Sequence, residues 1–110
     1  LFINPSIRDI RLCKIIGSKC IELHTGKLSR LVKANKNFYL ELKKIKKCAK
    51  LANSLGIDVH AGHGLDYKST RLLSNIKEIS EFNIGHFIIS ESVFVGLKKS
   101  INKFKKIINN

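Results

Sequence analysis

Two short stretches of this chain, Val59-His60-Ala61-Gly62-His63-Gly64-Leu65 and Phe82-Asn83-Ile84-Gly85-His86, each read as a brief β-type run ending in Gly-His. Glycine has no Cβ, so an anion can approach its backbone N–H closely. The imidazole beside it gives or takes a proton near neutral pH. His63, set between Gly62 and Gly64, is therefore a candidate general acid or base, or a phosphate contact. Its bland alternative is a turn histidine without function. Gly64 and Gly85 are candidate phosphate-binding positions, with ordinary turn glycines as the alternative, and His86 would add a side-chain donor.

A third stretch, Cys20-Ile21-Glu22-Leu23-His24-Thr25-Gly26, alternates as a strand does. Ile21 and Leu23 belong on an apolar, helix-covered side. Cys20, Glu22 and His24 then face the other way, into the interior of a barrel if the sheet is curved. A carboxylate held there costs several kcal/mol without a partner. Glu22 is thus either paired with a cation from another strand or part of an active site. His24 and Thr25, at the strand end, are possible site residues, although a histidine there can simply bond the loop behind it. His60 is expected to face away from His63 by alternation and to be structural. His24, His63 and His86 could together hold zinc with one open position, but no short ligand spacing links them, and no metal is expected. Hydrolase, Walker-loop and dinucleotide-binding patterns are absent.

The elements that must position these residues follow in regular order. Leu1–Ile3 reads as the end of a strand, Asn4 as a helix cap, and Pro5 as a first helical residue. That helix is expected to reach about Ile16 and stop at Gly17. After the strand Cys20–His24, Lys27 to Asn37 reads as a basic, irregular loop. Phe38, Leu42, Ile45, Ala49, Ala52 and Leu55 form one apolar helical stripe, with Gly56 in a left-handed cap. A strand from Ile57 to Ala61 precedes a short helix bearing Leu72, Leu73 and Ile76. A fourth strand holds Phe82, Ile84 and Gly85. Val93, Leu97, Ile101, Phe104 and Ile108 mark a last helical region, in which Phe87-Ile88-Ile89 either extends the strand or opens a helix interrupted at Gly96.

This β-α-β-α-β-α-β-α order predicts an α/β fold of parallel strands with helical crossovers. Four βα units make half of a (β/α)8 barrel or a small doubly wound sheet. Ligands of both sit at the carboxyl ends of the strands, where His24, His63, Gly64, Gly85 and His86 collect. If the chain is a barrel's second half, Gly64 and Gly85 follow strands seven and eight, where such barrels often bind phosphate.

Composition bounds the rest. The 110 residues are at most one domain, and 44% of them are hydrophobic, which suits a buried core. Transmembrane and signal segments are not recognisable. The chain lacks an initiator Met and starts in strand-like sequence, so an N-terminal part is expected to be missing. Cys13, Cys20 and Cys48 are dispersed and odd in number, as in a reducing cytoplasm. A net charge of +13 invites a nucleic-acid or anionic-membrane reading. However, the lysines of Lys43–Lys47 and Lys98–Lys106 recur opposite apolar stripes, the pattern of solvated helix faces, and neither partner is expected.

The segments Ile21-Glu22-Leu23-His24-Thr25-Gly26, Val59-His60-Ala61-Gly62-His63-Gly64-Leu65 and Asn83-Ile84-Gly85-His86-Phe87-Ile88-Ile89 resemble, in order and spacing, motifs of the pyridoxine 5'-phosphate synthase family. The resemblance covers essentially the whole chain, as that family's C-terminal half. It implies residues 1-110 are a half-barrel of about four βα units from one larger (β/α)8 (TIM) barrel domain whose N-terminal half is absent. It also implies condensation of 3-amino-2-oxopropyl phosphate with 1-deoxy-D-xylulose 5-phosphate to pyridoxine 5'-phosphate, phosphate and water. No cofactor is implied, and assembly is as homo-oligomers, typically octamers. Matched by motif, His63 is the proton donor, Glu22 a transition-state-stabilising carboxylate, and Gly64, Gly85 and His86 the contacts to the aminoketone phosphate. The family's proton acceptors lie on earlier strands, so the 110 residues alone are expected to be inactive. His60 stands where many members carry Asn. The other readings are a different phosphate-binding barrel enzyme and a basic nucleic-acid or membrane-surface module.

Overall fold

Alternation along the second strand decides which side of the sheet is covered. In the computed structural model, which describes residues 1–110, Ile21 and Leu23 are fully buried while Cys20, Glu22 and His24 are half-buried on the opposite face. The strands are β1 (Phe2–Ile3), β2 (Cys20–His24), β3 (Asp58–Gly62) and β4 (Glu81–Asn83). They form one parallel sheet in the order β1-β2-β3-β4. A doubly wound sheet reverses strand order at a switch point, and this one does not. With a helix in each crossover and one crossover hand, the helices gather on a single face, as in half of a (β/α)8 barrel.

That covered face is the core. Ile21, Leu23, Val59 and Ala61 meet Ile10 and Cys13 of α1 (Ile7–Ile15), Leu28 and Val32 of α2 (Gly26–Lys33), and Ile45, Cys48, Ala49 and Ala52 of α3 (Tyr39–Ser54). Leu73 of α4 (Tyr67–Leu73) joins them. The lysines of α3 and of α6 (Leu97–Ile108) are exposed. No helix is long and apolar enough to cross a membrane.

Five expectations need correction. Ile76 lies beyond the end of α4 and not in the short helix with Leu72 and Leu73. Ser6, not Asn4, caps α1: its hydroxyl accepts from the Asp9 N–H, and Pro5 lies just outside the helix. Thus Ser6 fills the N3 donor that a cap must satisfy. The stretch expected as a loop after β2 is helical from Gly26 to Lys33. Leu28 and Val32 recur at i, i+4 and are buried, while Lys27, Arg30 and Lys33 point to solvent, so a two-turn stripe suffices for a helix once the sheet covers it. Ile84 and Gly85 lie beyond β4 rather than in it. Finally, of the two readings of the last helical region the structure takes the helix interrupted at Gly96, but without the single stripe expected along it. Phe87-Ile88-Ile89 opens α5 (His86–Val95), and Gly96, at φ 86° and ψ 147°, breaks the backbone before α6. The stripe expected across that break is not continuous: Val93 is 80% exposed, whereas Phe104 and Ile107 are buried. Gly17 and Gly56 do take left-handed φ after α1 and α3.

Candidate active site at the carboxyl ends of the strands

The mouth of the sheet is built from backbone first. Gly62 ends β3, and a Cβ there would overlap the Glu22 carboxylate. Glycine at 62 therefore makes the room that Glu22 occupies. The carboxylate reaches across β3 to β4, where its Oε2 accepts a hydrogen bond from Asn83 Nδ2 at 2.8 Å. The partner of Glu22 is thus a neutral amide. An acidic side chain held by an amide keeps its negative charge available to a ligand.

His63 follows with φ 79°, and Gly64 with φ 75°. A left-handed histidine is uncommon and strained. Thr25 secures it. Its backbone N–H donates to the Gly62 carbonyl at 2.8 Å, and its hydroxyl is shared between the carbonyls of Gly62 at 2.7 Å and His63 at 2.9 Å. Thr25 is fully buried, so its part is to hold the loop and not to touch a ligand. Beneath Gly64 lies the buried Ser29 hydroxyl, which has no hydrogen-bond partner.

The turn brings two imidazoles together. The His24 and His63 rings stack with centroids 4.4 Å apart and 28° between planes, and Phe2 packs 5.1 Å from His24. Gly26 permits this, since a Cβ there would stand 2.6 Å from His24 Cε1 and 2.9 Å from His63 Cδ2. The Gly26 N–H points at His24 Nδ1 (3.2 Å), which places the proton of neutral His24 on Nε2. Burial, then the neighbouring His63 and Arg30, hold the His24 imidazole below its ordinary pKa. Two stacked imidazoles do not readily carry two positive charges, which is part of what keeps the His24 ring neutral.

His63 and Gly64 line a cleft of about 720 Å³ together with Asn83, Gly85, His86, Lys33 and Ser90. Gly85 and His86 stand at the amino end of α5, where unpaired N–H groups and the helix dipole favour an anion. α5 is moored there by Phe87, whose ring meets Tyr67 and Phe104 edge-on at 4.9 and 5.9 Å. The structure therefore gathers Glu22, His24, His63, Gly64, Gly85 and His86 at one end of the sheet.

His60 lies on the same inner face as Glu22, its register partner. Its ring bonds Asp58 and approaches Cys20 and Glu81, away from the cleft. The residues that reading by motif passed over are Asn83 as partner to Glu22, Gly26 and Gly62 as the spaces two side chains need, and Lys33 and Ser90 on the cleft wall. Gly26 and Gly62 had a signal in their place directly at the strand ends. Lys33 had none once its helix was taken for a loop.

Comparison with known proteins agrees with this geometry. The family described as "Pyridoxal phosphate biosynthesis protein PdxJ" matches residues 1–110. A pyridoxine 5'-phosphate synthase of Pelagibacter ubique is 61% identical over 109 residues, 99% of this chain and 46% of that protein. Those of Zymomonas mobilis and Caulobacter vibrioides are 44% and 42% identical over 99% and 98% of this chain, and 42% and 43% of their own lengths. The chain thus spans about half the length of the curated relatives it matches. A match running from the first residue to the last, on a parallel half-barrel with its polar groups at one mouth, leaves one assignment: the chain belongs to the PdxJ family of pyridoxal phosphate biosynthesis proteins.

Proposed function

We propose that these residues form the C-terminal half of the barrel of a pyridoxine 5'-phosphate synthase, which joins 3-amino-2-oxopropyl phosphate to 1-deoxy-D-xylulose 5-phosphate and releases pyridoxine 5'-phosphate, phosphate and water. The observation that carries this is a cleft lined by His63, Gly64, Gly85 and His86, with Glu22 held by the lining Asn83 and His24 stacked behind His63, in a chain 61% identical to a protein of that name. The amine and ketone condense, a phosphate and water leave, and an aromatic ring closes. Each loss of water needs a proton delivered to a departing hydroxyl and another taken from carbon.

His63 is the proton donor. The strained turn thrusts its ring toward the cleft, and the His24 ring behind it discourages a second proton on the pair. Glu22 faces the positive charge that develops on nitrogen as the imine forms, a contact strongest in the transition state. Gly64, Gly85 and His86 hold the aminoketone phosphate, with the N–H groups at the start of α5 as its anchor. Fixing the phosphate fixes the amine at the other end of a short substrate. The remaining acid–base groups belong to the other half of the barrel.

The enzyme works without an added cofactor, as a homo-oligomer, an octamer in this reading. Exposed Ile89, Val93 and Phe94 on α5 are apolar surface fit for such contacts. Three free thiols suit the cytoplasm. The test is to supply the full-length protein with both phosphorylated substrates. Pyridoxine 5'-phosphate and inorganic phosphate should appear in equal amounts. No product, alongside RNA or vesicle binding that falls steeply with salt, would replace the proposal with the basic-module reading.

A further inference from the structure

A second cluster of reactive side chains lies on the inner face at the opposite, amino end of the strands. Cys20 and Asp58 are register partners on β2 and β3, and His60, two residues beyond Asp58, shares their face. Cys20 Sγ is 3.4 Å from His60 Nε2, and that nitrogen is 3.2 Å from Asp58 Oδ2. One ligand atom from each of the three lies within 4.8 Å of the others. We propose that Cys20, Asp58 and His60 bind a divalent transition-metal ion of the zinc type.

Thiol sulfur and carboxylate oxygen both converge on the one imidazole nitrogen. A tetrahedral ion with bonds of about 2.0–2.3 Å sets its ligand atoms roughly 3.3–3.8 Å apart, close to the spacing already present. The surroundings complete the arrangement. Glu81 Oε1 lies 3.5 Å from His60 Nδ1, so it can accept a hydrogen bond from Nδ1–H, the tautomer that leaves Nε2 free as a ligand. The Ser80 hydroxyl donates to Asp58 Oδ1 at 2.6 Å, leaving Oδ2 to the ion. Such outer contacts orient metal-binding histidines and carboxylates. On binding, the Cys20 thiol releases its proton to solvent. Thiolate and carboxylate then balance the 2+ charge, and a water fills the fourth position. A thiolate with an imidazole selects zinc or cobalt over magnesium or calcium. Cys20 lies four residues before His24 along β2, about 13 Å at ~3.3 Å per residue. The ion would therefore tie β2 to β3, away from the cleft.

The test uses full-length protein stripped by a chelator and titrated with Co²⁺, then Zn²⁺. One Co²⁺ per chain should bind with a thiolate-to-metal absorption band in the near ultraviolet, which Zn²⁺ abolishes by displacement. Cys20→Ser should lack the band, and Cys48→Ser and His63→Asn should keep it. Glu81→Gln should weaken Zn²⁺ binding about 10–100-fold. If Cys20→Ser does not fold, Asp58→Asn, whose side chain is 55% exposed, should still lower Zn²⁺ affinity by at least about tenfold. A band that survives Cys20→Ser, a band lost with His63→Asn, unchanged affinity in Asp58→Asn, or no bound ion at micromolar free metal would each overturn the site.

Discussion

His63 is the residue on which chemistry and backbone meet. Asparagine accepts left-handed φ better than most residues, so His63→Asn should fold as the parent does. Its kcat should fall by about 10²–10⁴, while the affinity of the aminoketone phosphate stays within about twofold. Steady-state kinetics and a ligand titration check both halves. His24 makes a separate statement through pH. Its folded pKa is depressed, first by burial and then by His63 and Arg30. Between that value and the unfolded value of about 6.5, the unfolded chain holds the extra proton, so stability rises with pH. The fold is thus at full strength above about 6.5 and weakens as pH drops through that window. Urea midpoints on either side should show this loss in the parent and a smaller one in His24→Gln. In His63→Asn, the His24 ring should titrate at higher pH by nuclear magnetic resonance.

At the scale of elements, the cleft depends on where α5 begins. A Cβ at Gly85 would meet nothing within 4 Å, so Gly85→Val should leave the melting temperature nearly unchanged. It should raise KM for the aminoketone phosphate by about tenfold or more by blocking approach to the helix amino end, and kcat should change less. Equal KM in parent and variant would remove Gly85 from the phosphate contact. Much of this arrangement was legible beforehand. Period-2 alternation in Cys20–His24 correctly separated buried Ile21 and Leu23 from inward Glu22 and His24, because a sheet covered on one side enforces it. The stripe of α3 was legible because sixteen residues give several turns of evidence. The eight-residue α2 gave scarcely two, and its three basic residues masked Leu28 and Val32. What alternation could not reveal was pairing across strands. Asn83 meets Glu22 only because β4 sits beside β3 at that register.

These 110 residues carry +13, and among their lysines and arginines only Lys27 is ion-paired, to Glu41 at 3.3 Å. Self-repulsion then outweighs attraction between exposed charges, and salt relieves it within a Debye length of about 10 Å at 0.1 M. The melting temperature should therefore rise as sodium chloride is added from low ionic strength, and a flat or falling curve would contradict this. The left-handed turn has its own consequence for the molecule's history. Glycine at position 63 would relieve backbone strain of about 1–3 kcal/mol. A laboratory selection for heat resistance that ignores turnover should drift to that replacement, and its most robust survivors would be catalytically dead. In a parallel lineage selected for turnover as well as heat resistance, the imidazole should persist.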